Sequence, residues 1–286
     1  MLREMFRVTI LFLLATPLFA QWTNYPSKRI PMKEGKPDLT APAPLTGWDT
    51  PDLSGVWDNV RVRPPGGTGV PAPVNGPAPV PPPPPASGPP VATFANIAAG
   101  MKEGAPLRPW AADLLKQRRA SNSKDNPDAR CLPMGLMQFN THSQPRKIIQ
   151  TPDLIVIIYE PNSGMRQIYL DGRPLPGPEA DAWWYGYSVG HWEGNELVVE
   201  TVRMKDLQWL DIWGTPLTED GKIIERFRRT NFGTLEIDVT IDDAKAYTAP
   251  WTVRVNQRLL PNEELIEFIC AENDQFTNYL TKAAGK

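Results

Sequence analysis

Hydrophobic and polar positions alternate most regularly near the C-terminal third of the chain. Leu235, Ile237, Val239 and Ile241 are apolar, while Glu236, Asp238, Thr240 and Asp242 are polar. A period of two describes a strand with one buried and one wet face. Residues 223–229 precede it, separated by Thr230-Asn231-Phe232-Gly233, a hairpin signal. Residues 183–203 read as a second hairpin, turning at Glu193-Gly194-Asn195. Its first half is crowded with Trp183, Trp184, Tyr185, Tyr187 and Trp192. Such rings bury much area and keep a polar handle, so they serve equally as core or as pocket wall.

The same pattern predicts strands over residues 147–150, 154–160, 166–171, 251–258 and 265–270, with a strand opening at 52–57. Thr151-Pro152-Asp153 and Asp171-Gly172-Arg173-Pro174 supply turns between them. One region reads as helical, residues 91–119, where Pro109 suits a first turn and Trp110, Leu114 and Leu115 recur at helical spacing. Short strands joined by sequential hairpins predict an all-β fold. An antiparallel up-and-down barrel is favoured over a Greek-key sandwich. Gly55-Val56-Trp57 resembles the opening of lipocalin-type barrels, in which the Trp plugs one barrel end.

Composition adds the segments outside that barrel. Arg3 and Arg7 followed by an apolar run over 8–19 predict a signal peptide at 1–20, cut after Ala20. The run is shorter than the roughly 20 residues a spanning helix needs, so no stable membrane insertion is expected. An extended arm is expected at 21–50 and the first barrel strand at 51–63. The chain has 33 prolines, many of them in a low-complexity insertion at 64–90. Proline cannot donate to a ladder, so this insertion reads as solvated and extended, or as a motif for a proline-binding domain. A helical insertion at 91–130, the main barrel at 131–280 and a tail at 281–286 complete the expected organisation.

The formal net charge of −2 offers no basic footprint for nucleic acid. With two Cys and two His in the whole chain, a zinc site lacks ligands. In an exported protein Cys131 and Cys270 are expected to form a disulfide; two buried thiols are the alternative. No GxGxxG, P-loop or GxSxG motif occurs, so no cofactor is expected; with so few His and Cys no metal site is expected either, a carboxylate site for calcium staying open without an EF-hand loop pattern. The oligomeric state is left open.

Several stretches together resemble a family of exported β-rich bacterial proteins. They are CLPMG (131–135), QTPD (150–153), IYLDGRPLP (168–176), SVGHWEGNELVVET (188–201), ERFRR (225–229), TIDDAKAYTAPW (240–251) and ICAEN (269–273). The resemblance implies export and a β-rich fold, with no reaction attached. Members often carry a Gly-His-Pro-His type turn where this chain has Gly214-Thr215-Pro216-Leu217. Any chemistry of those His groups cannot be the same here.

Candidate acid–base groups are Glu200, His191, His142, Tyr169, Asp171 and Asp211. An inward Glu200 would be desolvated and fit for proton transfer; an outward one would be solvated. His191 lies beside the aromatic hairpin turn, and His142 lies in a polar loop. Tyr169, Asp171 and Arg173 follow at i, i+2, i+4 and could line one wall. Trp209 and Asp211 could cap a barrel mouth. Glu225 and Arg226 point to opposite faces, and a structural ion pair is their ordinary role. Candidate ligand-binding residues are Tyr169, Trp184, Tyr185, Trp192, Trp209 and Arg226. Three functions are carried forward. One is a barrel binding a small, partly apolar or aromatic molecule. The others are a cofactor-independent lyase, isomerase or hydrolase, and a cell-envelope interaction protein.

Overall fold

The computed structural model describes residues 30–60 and 88–270. The expected signal peptide, most of the proline-rich insertion and the final tail lie outside those residues. Two short strands of the arm, β1 (Met32–Lys33) and β2 (Lys36–Pro37), pair with each other. Nine strands form a closed barrel. In chain order they are β3 (Gly55–Asn59), β4 (Arg146–Gln150), β5 (Leu154–Tyr159), β6 (Met165–Tyr169), β7 (Tyr187–Glu193) and β8 (Glu196–Val202). β11 (Lys222–Asn231), β12 (Thr234–Asp242) and β13 (Trp251–Leu259) follow. A two-strand ribbon, β9 (Gln208–Trp209) with β10 (Pro216–Leu217), interrupts the series.

The strands meet in sequence order, as an up-and-down barrel requires, and β13 closes onto β3 through Leu259 opposite Trp57. Nine strands cannot alternate direction all the way round. One neighbouring pair must be parallel, and it is β6 with β7, joined by residues 170–186. The aromatic hairpin is β7–β8, with Glu193 opposite Glu196 and Gly194 at φ +60°.

The alternating pattern of β12 puts Leu235, Ile237, Val239 and Ile241 inside, all fully buried. On β11 the inward set is Ile223, Glu225, Phe227 and Arg229. Trp57 fills the barrel toward the β11–β12 turn. Its indole donates to Leu53 O at 2.9 Å, and the Arg229 guanidinium lies 5.0 Å from its ring centre. Gly55, at φ +144°, lies where a Cβ would come within 2.6 Å of Leu259 Cδ1, so β3 approaches β13 there only with glycine. Trp57 is thus fully enclosed at this end of the barrel.

Helix α1 (Pro109–Ala120) starts at Pro109, but residues 91–108 are irregular, where Gly100, Gly104 and Pro106 break any longer helix. Helix α2 (Leu136–Thr141) is not foreshadowed by the sequence reading. All six of its residues are buried. Arg146 at the start of β4 donates to Asn140 O (2.7 Å) and His142 O (3.0 Å), satisfying carbonyls that a helix end leaves open.

Cys131 and Cys270 form a disulfide with Cα atoms 5.5 Å apart. The strand expected at 265–270 is absent. β13 already completes the ring, so the chain after it runs outside the barrel as an irregular strap. The disulfide therefore ties this strap to the loop before α2 and does not join first and last strands.

Candidate functional site

The barrel interior holds a polar network under α2. Arg166, inward on β6, forms a two-pronged ion pair with Glu225 on β11; its Nη1 reaches Glu225 Oε1 at 3.1 Å and its Nη2 reaches Oε2. Arg166 also donates to Ser188 Oγ (3.0 Å) and Thr201 Oγ1 (2.9 Å). Asn140 of α2 donates to Glu225 Oε1 at 2.7 Å, and the Tyr159 hydroxyl donates to Asn140 Oδ1 at 3.3 Å. Burial alone would lower the Arg166 pKa, but the Glu225 carboxylate outweighs it and raises it. The Tyr159 hydroxyl is pushed up, first by burial. Arg166, Glu225, Tyr159 and Trp57 are each at most 2 % exposed. A surface with so little water contact has no water-sized space against it, so this network is packed core and not a chamber.

Glu200, His191 and Asp211 stand apart from this network and from each other. Glu200 does not point inward: on β8 the inward positions are Leu197, Val199 and Thr201, and Glu200 faces solvent with Lys222 at 2.9 Å. The desolvated inward carboxylate is Glu225. His191 is exposed and meets Glu193 at 3.1 Å. His142 ends α2, accepts from Gln144 N at 3.1 Å and packs edge-on against Phe94. Asp211 is buried in the β9–β10 turn, where it accepts from the amides of Ile97, Gly214 and Thr215 and from Thr215 Oγ1. Burial raises its pKa despite these donors.

Tyr169, Asp171 and Arg173 do assemble, on the outside of the barrel. Asp171 and Arg173 form a fork-shaped ion pair, Arg173 also donates to the Tyr187 hydroxyl at 3.1 Å, and its guanidinium sits 3.7 Å above the Tyr169 ring. Tyr169 stacks on Tyr187, which meets Trp183. The Tyr169 ring is thus engaged by the protein's own Arg173 and Tyr187. Arg226, outward on β11, pairs with Glu193 and Glu196. Trp192 lies inward on β7 against the core, and Tyr185 packs edge-on to Phe139, with its hydroxyl pushed up to about 12 by burial.

Two of the candidate rings, Trp184 and Trp209, come together in one cleft of about 170 Å³. Pro127, Gly135, Lys205, Asp206, Leu207 and Gln208 complete its lining. The walls are pinned by amides. Gln208 Nε2 donates to Trp184 O, and Gln138 Nε2 donates to Trp209 O at 2.9 Å. Gly135 is required here, because a Cβ would fall 2.7 Å from Trp209 O. Cations attend both rings: Lys205 Nζ lies 5.0 Å from the Trp184 centroid, and the Arg118 guanidinium lies 4.4 Å from that of Trp209. Arg118 also donates to Gly214 O and Leu207 O, and burial lowers its pKa to about 10.

The polar lining of the cleft carried no sequence signal. Lys205, Asp206 and Gln208 sit in a connection whose shape follows from tertiary contacts. Arg166 was legible in principle, since it shares strand phase with the inward Ile168. No protein-family model matches the chain, and no curated protein matches it.

Proposed function

We propose that the barrel is a filled frame and that the protein binds a small, partly apolar or aromatic molecule in the cleft beside it. The carrying observation is the convergence of Trp184 and Trp209 on one concavity of about 170 Å³ with Lys205 and Asp206 in its lining. A cavity of roughly 150 Å³ accepts a benzene-sized molecule, so the occupant carries about one ring. Indole walls supply apolar contact, while Lys205 offers a donor and a positive charge to an acceptor on that ring. The acid–base reading has less support. The most deeply buried carboxylates, Glu225, Asp211 and Asp243, each accept several hydrogen bonds from protein donors. Export is part of the proposal, and the disulfide supports it, because such bonds persist in oxidising compartments.

The test is a titration of the full chain with benzoate and with phenol, read by tryptophan fluorescence. Saturable quenching is expected. Trp184→Ala and Lys205→Ala should each weaken it, the latter for benzoate only. Equal quenching in all three proteins would place binding elsewhere. Mass spectrometry of small molecules that co-purify would then name the ligand class.

A further inference from the structure

Five of the eight residues that line the cleft follow one another, from Lys205 to Trp209. Their backbone is strained. Leu207 has a φ of +52°, and Arg203, just before the stretch, has a φ of +57°. Left-handed backbone is uncommon outside glycine and an outlier for a bulky side chain such as leucine. Such a conformation persists only where the surroundings over-determine it.

The two ends of the stretch are held by different means. At the start, Trp183 N donates to Arg203 O at 2.8 Å and Lys205 N donates to Trp183 O at 3.0 Å. At the far end the holding group is a side chain of another element. Arg118, in the last turn of α1, donates from its guanidinium to Leu207 O at 3.0 Å and to Gly214 O at 2.8 Å. A planar fork fixes two acceptors in one geometry, which a flexible ammonium does not. The same guanidinium lies 4.4 Å from the Trp209 ring centroid. Room for its stem is built into the β9–β10 turn: a Cβ at Gly214 would fall 2.6 Å from Arg118 Cδ and 3.0 Å from Trp209 Cζ3.

Helix α1 contributes little else to the packing. Of its twelve residues only Ala111 is buried. Its first turn is tied down by Trp110 Nε1, which donates to Lys245 O at 2.8 Å. Beside Arg118, the Arg119 guanidinium lies 4.0 Å from the centroid of Trp213 in that same β9–β10 turn. Arg118 does not itself line the cleft, so its influence on a ligand passes through Leu207 and Trp209.

We propose that Arg118 is the positioning residue of the cleft: by bridging Leu207 O and Gly214 O it holds the strained 203–209 wall in the shape that accepts a ring. This role rests on the binding function proposed above. Preorganisation of this kind raises affinity by removing the cost of ordering the wall when the ligand arrives.

The test is the benzoate and phenol titration repeated on variants of the full chain, together with hydrogen exchange in the absence of ligand. Arg118→Met keeps most of the stem and removes the donors. It should weaken benzoate and phenol alike, by about tenfold, whereas loss of the Lys205 charge affects benzoate only. Amides of 207–210 should exchange at least about tenfold faster, while β11–β12 amides stay unchanged. Arg118→Lys should fall between the two and serves if Arg118→Met does not fold. Asparagine enters left-handed backbone more readily than leucine. Leu207→Asn should therefore restore part of the affinity in the Arg118→Met background and none in the native one, a rescue that a merely structural role would not produce. Native and Arg118→Met proteins that bind both ligands equally overturn the positioning role alone. Faster exchange throughout the barrel overturns it as well, since Arg118 would then support the whole fold. A native protein that binds neither ligand overturns the binding function, and the positioning role falls with it.

Discussion

Arg166 on β6 and Glu225 on β11 reach each other across two intervening strands and form an ion pair with side chains 1 % and 0 % exposed. Ser188, Thr201 and Asn140 add further hydrogen bonds to the pair. A pair so enclosed fixes strand phase: turning either strand by one residue would leave a bare charge in hydrocarbon.

Breaking the pair from one side is expected to be costly. Glu225→Gln keeps the volume but strands the guanidinium, and should lower unfolding free energy by about 3–5 kcal/mol. Arg166→Met with Glu225→Leu removes both charges and should cost far less than either single change, since apolar replacement of both partners is often neutral. Urea unfolding of the three variants decides. A double variant as damaged as the singles would show that the network shapes the core beyond its charges.

The Trp57 plug makes a separate prediction. Trp57→Ala should cost about 3–5 kcal/mol, as other large-to-small core changes do. Arg229→Met keeps most of the stem but leaves Phe232 O and Asp52 O without their donor, for about 1–3 kcal/mol. Because the two side chains touch, the double variant should depart from additivity by about 0.5 kcal/mol or more. Strict additivity in a double-mutant cycle would show that cation and indole act independently.

The barrel was legible where period and turn agreed. Leu235 to Asp242 alternate without a fault, and Gly194 marks its hairpin, so strand phase followed directly. Closure was read from sequential hairpins, but the parallel β6–β7 pair was not. It depends on the count of strands, and the count was spoiled by reading residues 265–270 as one. That stretch has apolar residues but no ladder partner left, because β13 had already met β3. The face taken by Glu200 stayed open in the sequence for a related reason. Val198 and Val199 are both apolar, so the local pattern does not fix which side of β8 is inward; the partner strands do. Helix α2 is too short to show a period. The cleft is less legible still, since Trp184 and Trp209 are separated by two strand connections and meet only after folding.

Acid sensitivity should show at the exposed fork of Asp171 and Arg173. Hydrogen bonding from Arg173 is the main cause that holds the Asp171 carboxyl below its ordinary value. A carboxylate with a lowered folded pKa adds stability at and above its unfolded value of about 3.9, and that stability is lost as pH falls through the lowered value. Melting temperatures of the native protein and Arg173→Met should therefore differ at pH 6 and converge near pH 2. The gap should be small and shrink in salt, because both side chains are about a third exposed. A gap that widens in acid would reverse the assigned sign.

The proposed export predicts the mature N-terminus. In the proposed export, Arg3, Arg7 and the apolar run over 8–19 are expected to direct cleavage after Ala20. Protein recovered from the periplasm of a bacterial host should begin at Gln21 on N-terminal sequencing. An intact Met1 in the soluble fraction would sink this expectation.

The disulfide separates two roles that a single bond could play in a barrel. It links positions 139 residues apart in sequence, and in the chain-entropy model a loop of that size contributes roughly 5 kcal/mol, with measured values often smaller. That stabilisation acts on the unfolded chain and does not depend on which elements are joined. Closure of the ring is a different matter, and it rests on the β13–β3 ladder from Gln257 to Leu259. Replacing both cysteines by serine should therefore lower the urea midpoint markedly. The near-ultraviolet spectrum of the buried tryptophans should persist under native conditions, because the plug and ladder remain. Non-reducing peptide mapping should show Cys131 joined to Cys270 in the native protein. If the serine variant instead lost its tertiary spectrum while still far from its unfolding midpoint, the strap and its bond would be part of what keeps the barrel shut.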